Sequence, residues 1–150
     1  MTSTLTLAHA DTDARIAACF PVMRELRTHL TDVAEFVARV RRQQKGGYRL
    51  LALWRGEHAV ACAGYRLAEN LVRGPFLYVD DLVTLESERS LGHGKRLLDA
   101  VSEEARRAGI HHVVLDSGAG NARAHRFYFR EGYIIRGFHF ARTLDAGKGK

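Results

Sequence analysis

The sequence predicts an α/β fold in which a mixed, mostly antiparallel sheet is flanked by about four helices. Strand-like and helix-like periodicities alternate along the chain in the order β-α-α-β-β-β-α-β-α-β. Consecutive strands in the middle of the chain are typical of antiparallel hairpins, whereas strand-helix-strand units in the later part are typical of parallel pairing. The 150 residues are long enough for one hydrophobic core, so we expect a single domain over 1–150 with a frayed tail at 143–150.

The chain begins with a predicted strand followed by an interrupted helix. Residues 4–8 alternate between apolar and polar side chains, as in a short strand. Residues 11–13 (Asp-Thr-Asp) supply side chains that cap helices, and apolar residues then recur at helical spacing over 16–30. Pro21 lies inside that pattern and lacks the backbone N–H that a helix interior needs. We expect it to kink the helix or to split it.

A second helix and a hairpin follow. The helix is capped by Thr31 or Asp32 and ends near the glycine pair 46–47. Strands are predicted at 48–55 and 59–67, joined by a three-residue turn that contains glycine.

The second half of the chain alternates strands and helices. A strand over 76–85 leads into a glycine loop, and the helix after the loop runs to Arg107. A short strand at 111–115 follows, and Asn121 caps another helix. Residues 133–142 are predicted to add one or two final strand segments.

The composition excludes several classes of protein. A hydrophobic content of 46% with 27% charged residues argues against disorder. No apolar run approaches the ~20 residues of a membrane span, and the N-terminal residues lack a secretory signal pattern, so the expected location is a reducing cytoplasm without membrane attachment. Cys19 and Cys62 lie in apolar runs without metal-ligand spacing. We therefore expect buried, reduced thiols and assign no metal.

The positive charge is concentrated at the C-terminal end. The net charge is +6, and residues 121–150 contain seven Arg or Lys side chains against two carboxylates. Such a bias fits a nucleic acid, an anionic cofactor or a solvated surface. The positive residues alternate with core positions and form no recognised nucleic-acid motif, so nucleic-acid binding is not expected.

The glycine loop is a candidate anion site. It has the pattern Arg89-x-x-Gly92-x-Gly94 and connects an apolar strand to an amphipathic helix. Glycines let the backbone approach a ligand, and the first N–H groups of the helix attract an anion. Such a pair of glycines is also common in ordinary turns, so the loop alone is weak evidence.

Two blocks together resemble the GNAT family of acetyl-CoA-dependent N-acetyltransferases. The first is Asp80-Asp-Leu-Val-Thr84 running into the Arg89 loop, which is similar to the family's Arg/Gln-x-x-Gly-x-Gly/Ala motif. The second is Asn121-Ala-Arg-Ala-His-Arg-Phe-Tyr-Phe-Arg-Glu-Gly-Tyr133, which looks like the family's Asn, Ala, Phe-Tyr and Gly-Phe/Tyr signature. Their order and separation match the family, and the resemblance covers nearly the whole chain. Ser90 replaces a common glycine and His93 a common aliphatic residue. We expect His93 either to be exposed at the helix start or to touch a cofactor phosphate.

The resemblance implies acetyl-CoA as the acetyl donor. Main-chain N–H groups over 91–95 would hold the pyrophosphate, with charge from Arg89 and from Lys95 or Arg96. The strand before the loop would bind the pantetheine arm through its main chain. The residues that the resemblance assigns to coenzyme A are Leu82, Val83, Leu85, Arg89, Ser90, Leu91, Gly92, His93, Gly94, Lys95, Asn121 and Tyr128.

The implied reaction is direct attack of a primary amine on the thioester. A base would remove a proton from the amine, and Asp80 is favoured over Asp81 because relatives that acetylate polyamines carry a carboxylate nine positions before the loop arginine. The two side chains should face opposite sides of the strand. Either carboxylate could act through water, and Asp80 could instead pair with a nearby arginine. Tyr128 is the candidate acid for the leaving thiolate.

The acceptor is left open, because this scaffold acetylates small amines, antibiotics and peptides alike. Side chains that could line its site are Glu25, Arg27, Tyr65, Ser117 and His139. A non-catalytic acetyl-CoA sensor or scaffold is the alternative function. Family members are often homodimers, and the sequence specifies no interface.

Overall fold

A computed structural model describes residues 4–145. These residues form two compact units, one ending at Leu115 and one beginning at Asp116. The first unit contains β1 (Leu5–His9), α1 (Asp13–Ala18), α2 (Phe20–Leu26), α3 (Val33–Gln44), β2 (Arg49–Arg55), β3 (His58–Asn70), β4 (Gly74–Thr84), a 3-10 turn (Glu86–Glu88), α4 (His93–Arg107) and β5 (Val113–Leu115). The second unit contains α5 (Ala122–Arg130).

The sheet is mixed and mostly antiparallel, as predicted. Its strands lie in the order β1-β2-β3-β4-β5. The first three neighbouring pairs are antiparallel, and only β4 and β5 run parallel. The fold class predicted from the sequence is therefore confirmed, with five helices in the described part of the chain.

The first predicted helix is split, as the position of Pro21 indicated. Thr12 caps α1 by accepting a hydrogen bond from the Arg15 N–H, and the helix ends at Ala18. Pro21 lies in the first turn of α2, where its missing N–H costs no helical hydrogen bond. Asp32, one of the two predicted caps, begins α3 through the Ala34 N–H.

The sheet separates two layers of apolar packing. Side chains of α1, α2 and α3 share a cluster with alternate residues of β2, including Leu50 and Ala52. The intervening side chains of β2 point to the opposite face, which α4 covers with its buried apolar residues. Cys19 and Cys62 are free and fully buried in the first cluster, so the prediction of buried, reduced thiols is confirmed.

A bulge interrupts β4 at its centre. Tyr65 of β3 pairs with Val79 and Gly64 pairs with Asp81, so Asp80 is an extra residue on β4. The parallel pairing with β5 covers only residues 77–79 of β4. Within residues 4–145, the edge of β4 from Asp80 onward therefore has no partner strand.

The strand predicted within 133–142 is wrong, because residues 133–144 form no regular secondary structure. The alternating apolar pattern, which includes Phe138 and Phe140, gives a local preference for extended backbone. A strand also needs a neighbour to satisfy its N–H and C=O groups, and both phenylalanines are exposed here. Of the predicted tail, 146–150 lie outside the described residues. No helix within 4–145 is long and apolar enough to cross a membrane.

Candidate active site

The glycine loop leaves the start of α4 open. Gly92 is the N-cap with a φ of 85°, and no described side chain caps this helix. By contrast, side chains cap α1, α3 and α5. A Cβ added at Gly92 would meet no atom within 4 Å. The first N–H groups of α4 have no intrahelical acceptors, so this end of the helix fits an anionic group such as a phosphate.

The predicted cations around the loop differ in their surroundings. Arg89 is about two-fifths exposed and lies 4.0 Å from Glu25. The ammonium group of Lys95 lies 2.9 Å from Asp99, one turn along α4, and more than half of its side chain is exposed. Arg96 donates to the Leu5 carbonyl on β1 at 3.3 Å. Arg89 and Lys95 thus fit a phosphate-bearing cofactor better than Arg96, which is bound to the sheet.

His93 is buried rather than exposed, so that expectation is wrong. Only 6% of the residue is accessible, and its Nε2 lies 2.9 Å from Glu88 Oε1. The same carboxylate accepts two hydrogen bonds from Arg55 of β2, at 2.6 and 3.2 Å. The sequence interpretation missed Glu88 and Arg55. The signal that could have found them is a histidine at a position that is commonly aliphatic, with a carboxylate five residues before it.

Main-chain groups on the open edge of β4 alternate in direction. The Leu85 N–H donates to the Val60 carbonyl of β3 at 3.0 Å, and the Leu85 carbonyl accepts from the Glu88 N–H at 2.8 Å. Both main-chain groups of Leu85 are therefore used within the protein. Because groups alternate along a strand, Val83 also faces β3, whereas Leu82 and Thr84 face the open edge. The expectation that Val83 and Leu85 offer main-chain groups to a cofactor is therefore wrong, because theirs are used within the protein. The main-chain groups at the open edge are those of Leu82, which was predicted, and of Thr84, which was not.

The side chain of Asp81 is held by hydrogen bonds from Arg27 and Tyr48. Arg27, which ends α2, donates through Nε to Asp81 Oδ1 at 2.9 Å, and the Tyr48 hydroxyl donates to Oδ2 at 2.8 Å. Burial, followed by the nearby negative charge of Asp81, raises the pKa of Tyr48 well above its ordinary value. Tyr48 therefore stays a hydrogen-bond donor, and Asp81 keeps a fixed orientation.

Gly64 makes room for this network. A Cβ at Gly64 would lie 1.8 Å from the Tyr48 hydroxyl oxygen and 2.4 Å from Cζ of the same ring. No side chain could therefore replace the glycine without moving Tyr48 away from Asp81. The sequence interpretation missed both Tyr48 and Gly64, since neither belongs to a motif.

Asp80 has different partners from its neighbour. Arg66 of β3 donates three hydrogen bonds to its carboxylate, at 2.9 to 3.2 Å, and the guanidinium lies 5.1 Å from the centre of the Tyr78 ring. Arg27 also donates to the Asp80 main-chain carbonyl at 2.7 Å. Almost half of the Arg66 side chain is exposed, against about a fifth of Asp80. The ion pair between Arg66 and Asp80 is therefore partly open to solvent.

Of the predicted lining residues in the first unit, two reach the end of β4 and one does not. Glu25 accepts a hydrogen bond from the Glu86 N–H at 2.9 Å, and Arg27 binds both aspartates. Tyr65 is fully buried, and its hydroxyl lies 2.5 Å from Glu104 of α4. The expectation that Tyr65 lines the acceptor site is wrong, because burial makes it part of the core.

The second unit contains the remaining predicted residues. Asn121 caps α5 through the Ala124 N–H at 3.1 Å, so its predicted capping role is confirmed. Tyr128 is half-buried between the rings of Phe127 and Tyr133, and burial raises its pKa above the ordinary value. The two predicted lining residues of this unit, Ser117 and His139, are exposed, and His139 Nδ1 lies 3.1 Å from Asp116.

The residues from 4 to 145 contain no group of three His, Cys, Asp or Glu side chains that could hold a metal ion.

Sequence comparisons identify relatives across most of the chain. The family described as "Acetyltransferase (GNAT) family" matches residues 15–133. A protein of Bacillus subtilis (strain 168) named as the uncharacterized N-acetyltransferase YhdJ is 38% identical over 130 residues, which are 85% of this chain and 91% of the relative. The aminoalkylphosphonate N-acetyltransferase of Salmonella typhimurium (strain LT2) is 39% identical over 66 residues, 44% of this chain and 43% of that protein.

Solved structures share the fold at low sequence identity. An acetyltransferase of Trypanosoma brucei has a TM-score of 0.78 at 19% identity, covering 94% of this chain and 100% of that one. An aminoglycoside N-acetyltransferase in complex with CoA has a TM-score of 0.82 at 15% identity, covering 96% and 97%. The family match over most of the chain, the 38% identical relative and the shared fold agree with the loop and strand geometry. The chain belongs to the GNAT family of acetyl-CoA-dependent N-acetyltransferases.

Proposed function

We propose that this enzyme transfers the acetyl group of acetyl-CoA to the primary amine of a small polar acceptor by direct attack. The observation that carries the proposal is the arrangement along β4. A bulge at Asp80 presents two carboxylates, the open edge follows it, and the uncapped start of α4 lies beyond the end of the strand.

Coenzyme A would be held by main-chain groups. The N–H groups over 91–95 would bind the pyrophosphate, with Arg89 and Lys95 adding positive charge. Leu82 and Thr84 would bind the pantetheine arm through the main-chain groups that face the open edge. Bound there, the cofactor supplies an activated thioester whose carbonyl a main-chain N–H can polarise.

Asp80 is the proposed proton acceptor. A free amine with a pKa near 10 is about one part in a thousand neutral at pH 7, so attack requires removal of a proton. The acceptor ammonium would replace Arg66 at the Asp80 carboxylate and then give up its proton there, directly or through water. Asp81 is held by Arg27 and Tyr48 and would keep the bulge in position.

Tyr128 is the proposed acid. Attack forms the C–N bond, collapse of the tetrahedral intermediate breaks the C–S bond, and the thiolate takes the phenol proton. The nitrogen of the new amide loses its extra proton to water, and water returns a proton to the phenolate. A phenol is protonated at neutral pH because its ordinary pKa is near 10, and burial raises that of Tyr128 further, so the side chain has a proton to give. The assignment itself rests on the position of Tyr128 in the block 121–133 that resembles the family signature.

The charges around Asp80 favour an acceptor that carries an anionic group beside its amine. Arg66 and Arg27 are both partly exposed there. An acceptor carboxylate or phosphonate could pair with Arg66 while the ammonium pairs with Asp80. One relative is named as an aminoalkylphosphonate N-acetyltransferase, which agrees with this class.

The test measures binding and turnover separately. Calorimetry with CoA should show saturable binding to one site, and thiol release from acetyl-CoA should depend on the amine added. The panel should pair 2-aminoethylphosphonate and β-alanine with uncharged ethanolamine and with a diamine. Arg66→Gln should reduce the preference for the anionic amines. Tight CoA binding without thiol release from any amine would overturn the proposed activity and favour a cofactor-binding module.

A further inference from the structure

The loop before α4 contains a residue, Ser90, in a backbone conformation that it does not favour. Ser90 has a φ of 66° and Gly92 a φ of 85°. The left-handed region is open to glycine, but it is strained for a residue with a Cβ. The contacts that involve Glu88 and His93, on either side of Ser90, therefore bear on how this loop is held.

Three side chains connect the two ends of this loop. Glu88 precedes the loop and His93 follows it, and Oε1 of the carboxylate lies 2.9 Å from Nε2 of the imidazole. Arg55 donates to both carboxylate oxygens from β2, at 2.6 and 3.2 Å. We call Arg55, Glu88 and His93 the loop clasp. It ties the 3-10 turn and the first residue of α4 to the sheet.

The burial and charge of the loop clasp are suited to holding the loop against the sheet. His93 is buried, with 6% of the residue accessible, and its Nε2 pairs with Glu88. Hydrogen bonds from Arg55, followed by that from His93, lower the pKa of Glu88 to about 2. The carboxylate is therefore an acceptor at neutral pH, and His93 must carry a proton on Nε2. Arg55 balances a negative charge that would otherwise repel an anion near the start of α4.

We propose that the loop clasp is a positioning device for the cofactor phosphates, in which Glu88 fixes the loop without touching the cofactor. The inference rests on the proposed binding of coenzyme A at this loop. The clasp sets the direction of the first N–H groups of α4 before the cofactor arrives, which lowers the cost of ordering them on binding.

The decisive experiment compares a donor with phosphates and a donor without them. Glu88→Ala and the milder Glu88→Gln would be assayed with acetyl-CoA and with acetyl-pantetheine, which lacks the pyrophosphate. Calorimetry would measure the Kd of CoA, and hydrogen exchange would follow the amides of 89–95 in the free protein. Glu103→Gln is the matched control, because Glu103 is an exposed carboxylate near the other end of α4 that pairs with Arg106.

We expect Glu88→Ala to raise the Kd of CoA and the KM of acetyl-CoA about 10-fold, with kcat changed less than about twofold. The kcat/KM for acetyl-pantetheine should be unchanged, and exchange should accelerate at 89–95. Glu88→Gln should show a smaller effect and the Glu103 control none. An equal loss of kcat/KM with acetyl-CoA and with acetyl-pantetheine would overturn the proposed role of the clasp. So would an unchanged Kd of CoA together with unchanged amide exchange at 89–95 in Glu88→Ala. Failure of the unaltered protein to bind CoA would instead overturn the proposed function, while faster exchange at 89–95 in Glu88→Ala would still establish the clasp's hold on the loop.

Discussion

Replacement of Gly64 by alanine should destabilise the protein by breaking the contact between Tyr48 and Asp81. The new methyl group would lie 1.8 Å from the Tyr48 hydroxyl oxygen, so the buried ring must move. Overpacking of this kind costs about 1–3 kcal/mol, and the lost hydrogen bond to a charged carboxylate costs about 1.5 kcal/mol more. The reduced freedom of the unfolded chain returns about 0.4–1 kcal/mol. The expected net loss is about 1.5–4 kcal/mol, or roughly 3–16 °C in Tm for a chain of this length.

Urea unfolding followed by circular dichroism would measure this loss, with Gly137→Ala as the control. A Cβ at Gly137 would meet no atom within 4 Å, so the control should change stability by less than about 0.5 kcal/mol. Tyr48→Phe tests the cause. It should cost about 1.5 kcal/mol alone, and Gly64→Ala should then cost about 1–2 kcal/mol less in the Tyr48→Phe background. Strictly additive costs would refute the reasoning, because the two residues would then act independently of their contact.

Other parts of the site give shorter predictions. Asp80→Asn should lower kcat about 10²-fold or more in the thiol-release assay while leaving the Kd of CoA unchanged, and an unaltered kcat would exclude Asp80 as the base. Tyr128→Phe should likewise lower kcat by about 10²-fold with acetyl-CoA, and a change confined to KM would remove its role as acid. The pKa of Glu88 is lowered from 4.5 to about 2, so its contribution to stability is full above pH 4.5 and is lost as the pH falls toward 2. The difference in urea midpoint between the unaltered protein and Glu88→Gln should therefore shrink over that range, and a constant difference would contradict the assignment. Cys19 and Cys62 are fully buried, and the hydrogen bond with Cys19 together with burial raises the pKa of Cys62, so a thiol reagent should label neither before unfolding.

The strand and helix order was predictable because it depends on local patterns. The caps at Thr12 and Asp32 and the helix break at Pro21 are visible in a few neighbouring residues. The glycine loop was predictable for the same reason, since its pattern is short and contiguous.

The supporting contacts were not predictable, because they join residues far apart in the chain. Tyr48 and Asp81 are 33 positions apart, as are Arg55 and Glu88. Periodicity places each residue on a strand or turn but does not state which side chains meet. The strand predicted within 133–142 failed for a related reason, since the pattern contains no information on whether a partner strand is present.

These long-range contacts explain why two adjacent aspartates can have separate tasks. The bulge adds one residue to β4, so the side chains of Asp80 and Asp81 have different neighbours. Asp81 has a buried, neutral donor in Tyr48 and a guanidinium in Arg27, and both hold it in place. The carboxylate of Asp80 is paired with Arg66, whose side chain is almost half exposed. A carboxylate held by two donors, such as Asp81, is suited to keeping the bulge in position. A carboxylate with one solvent-exposed partner, such as Asp80, is suited to binding the substrate amine. This difference in their partners, more than sequence position, is the reason to assign the proton transfer to Asp80.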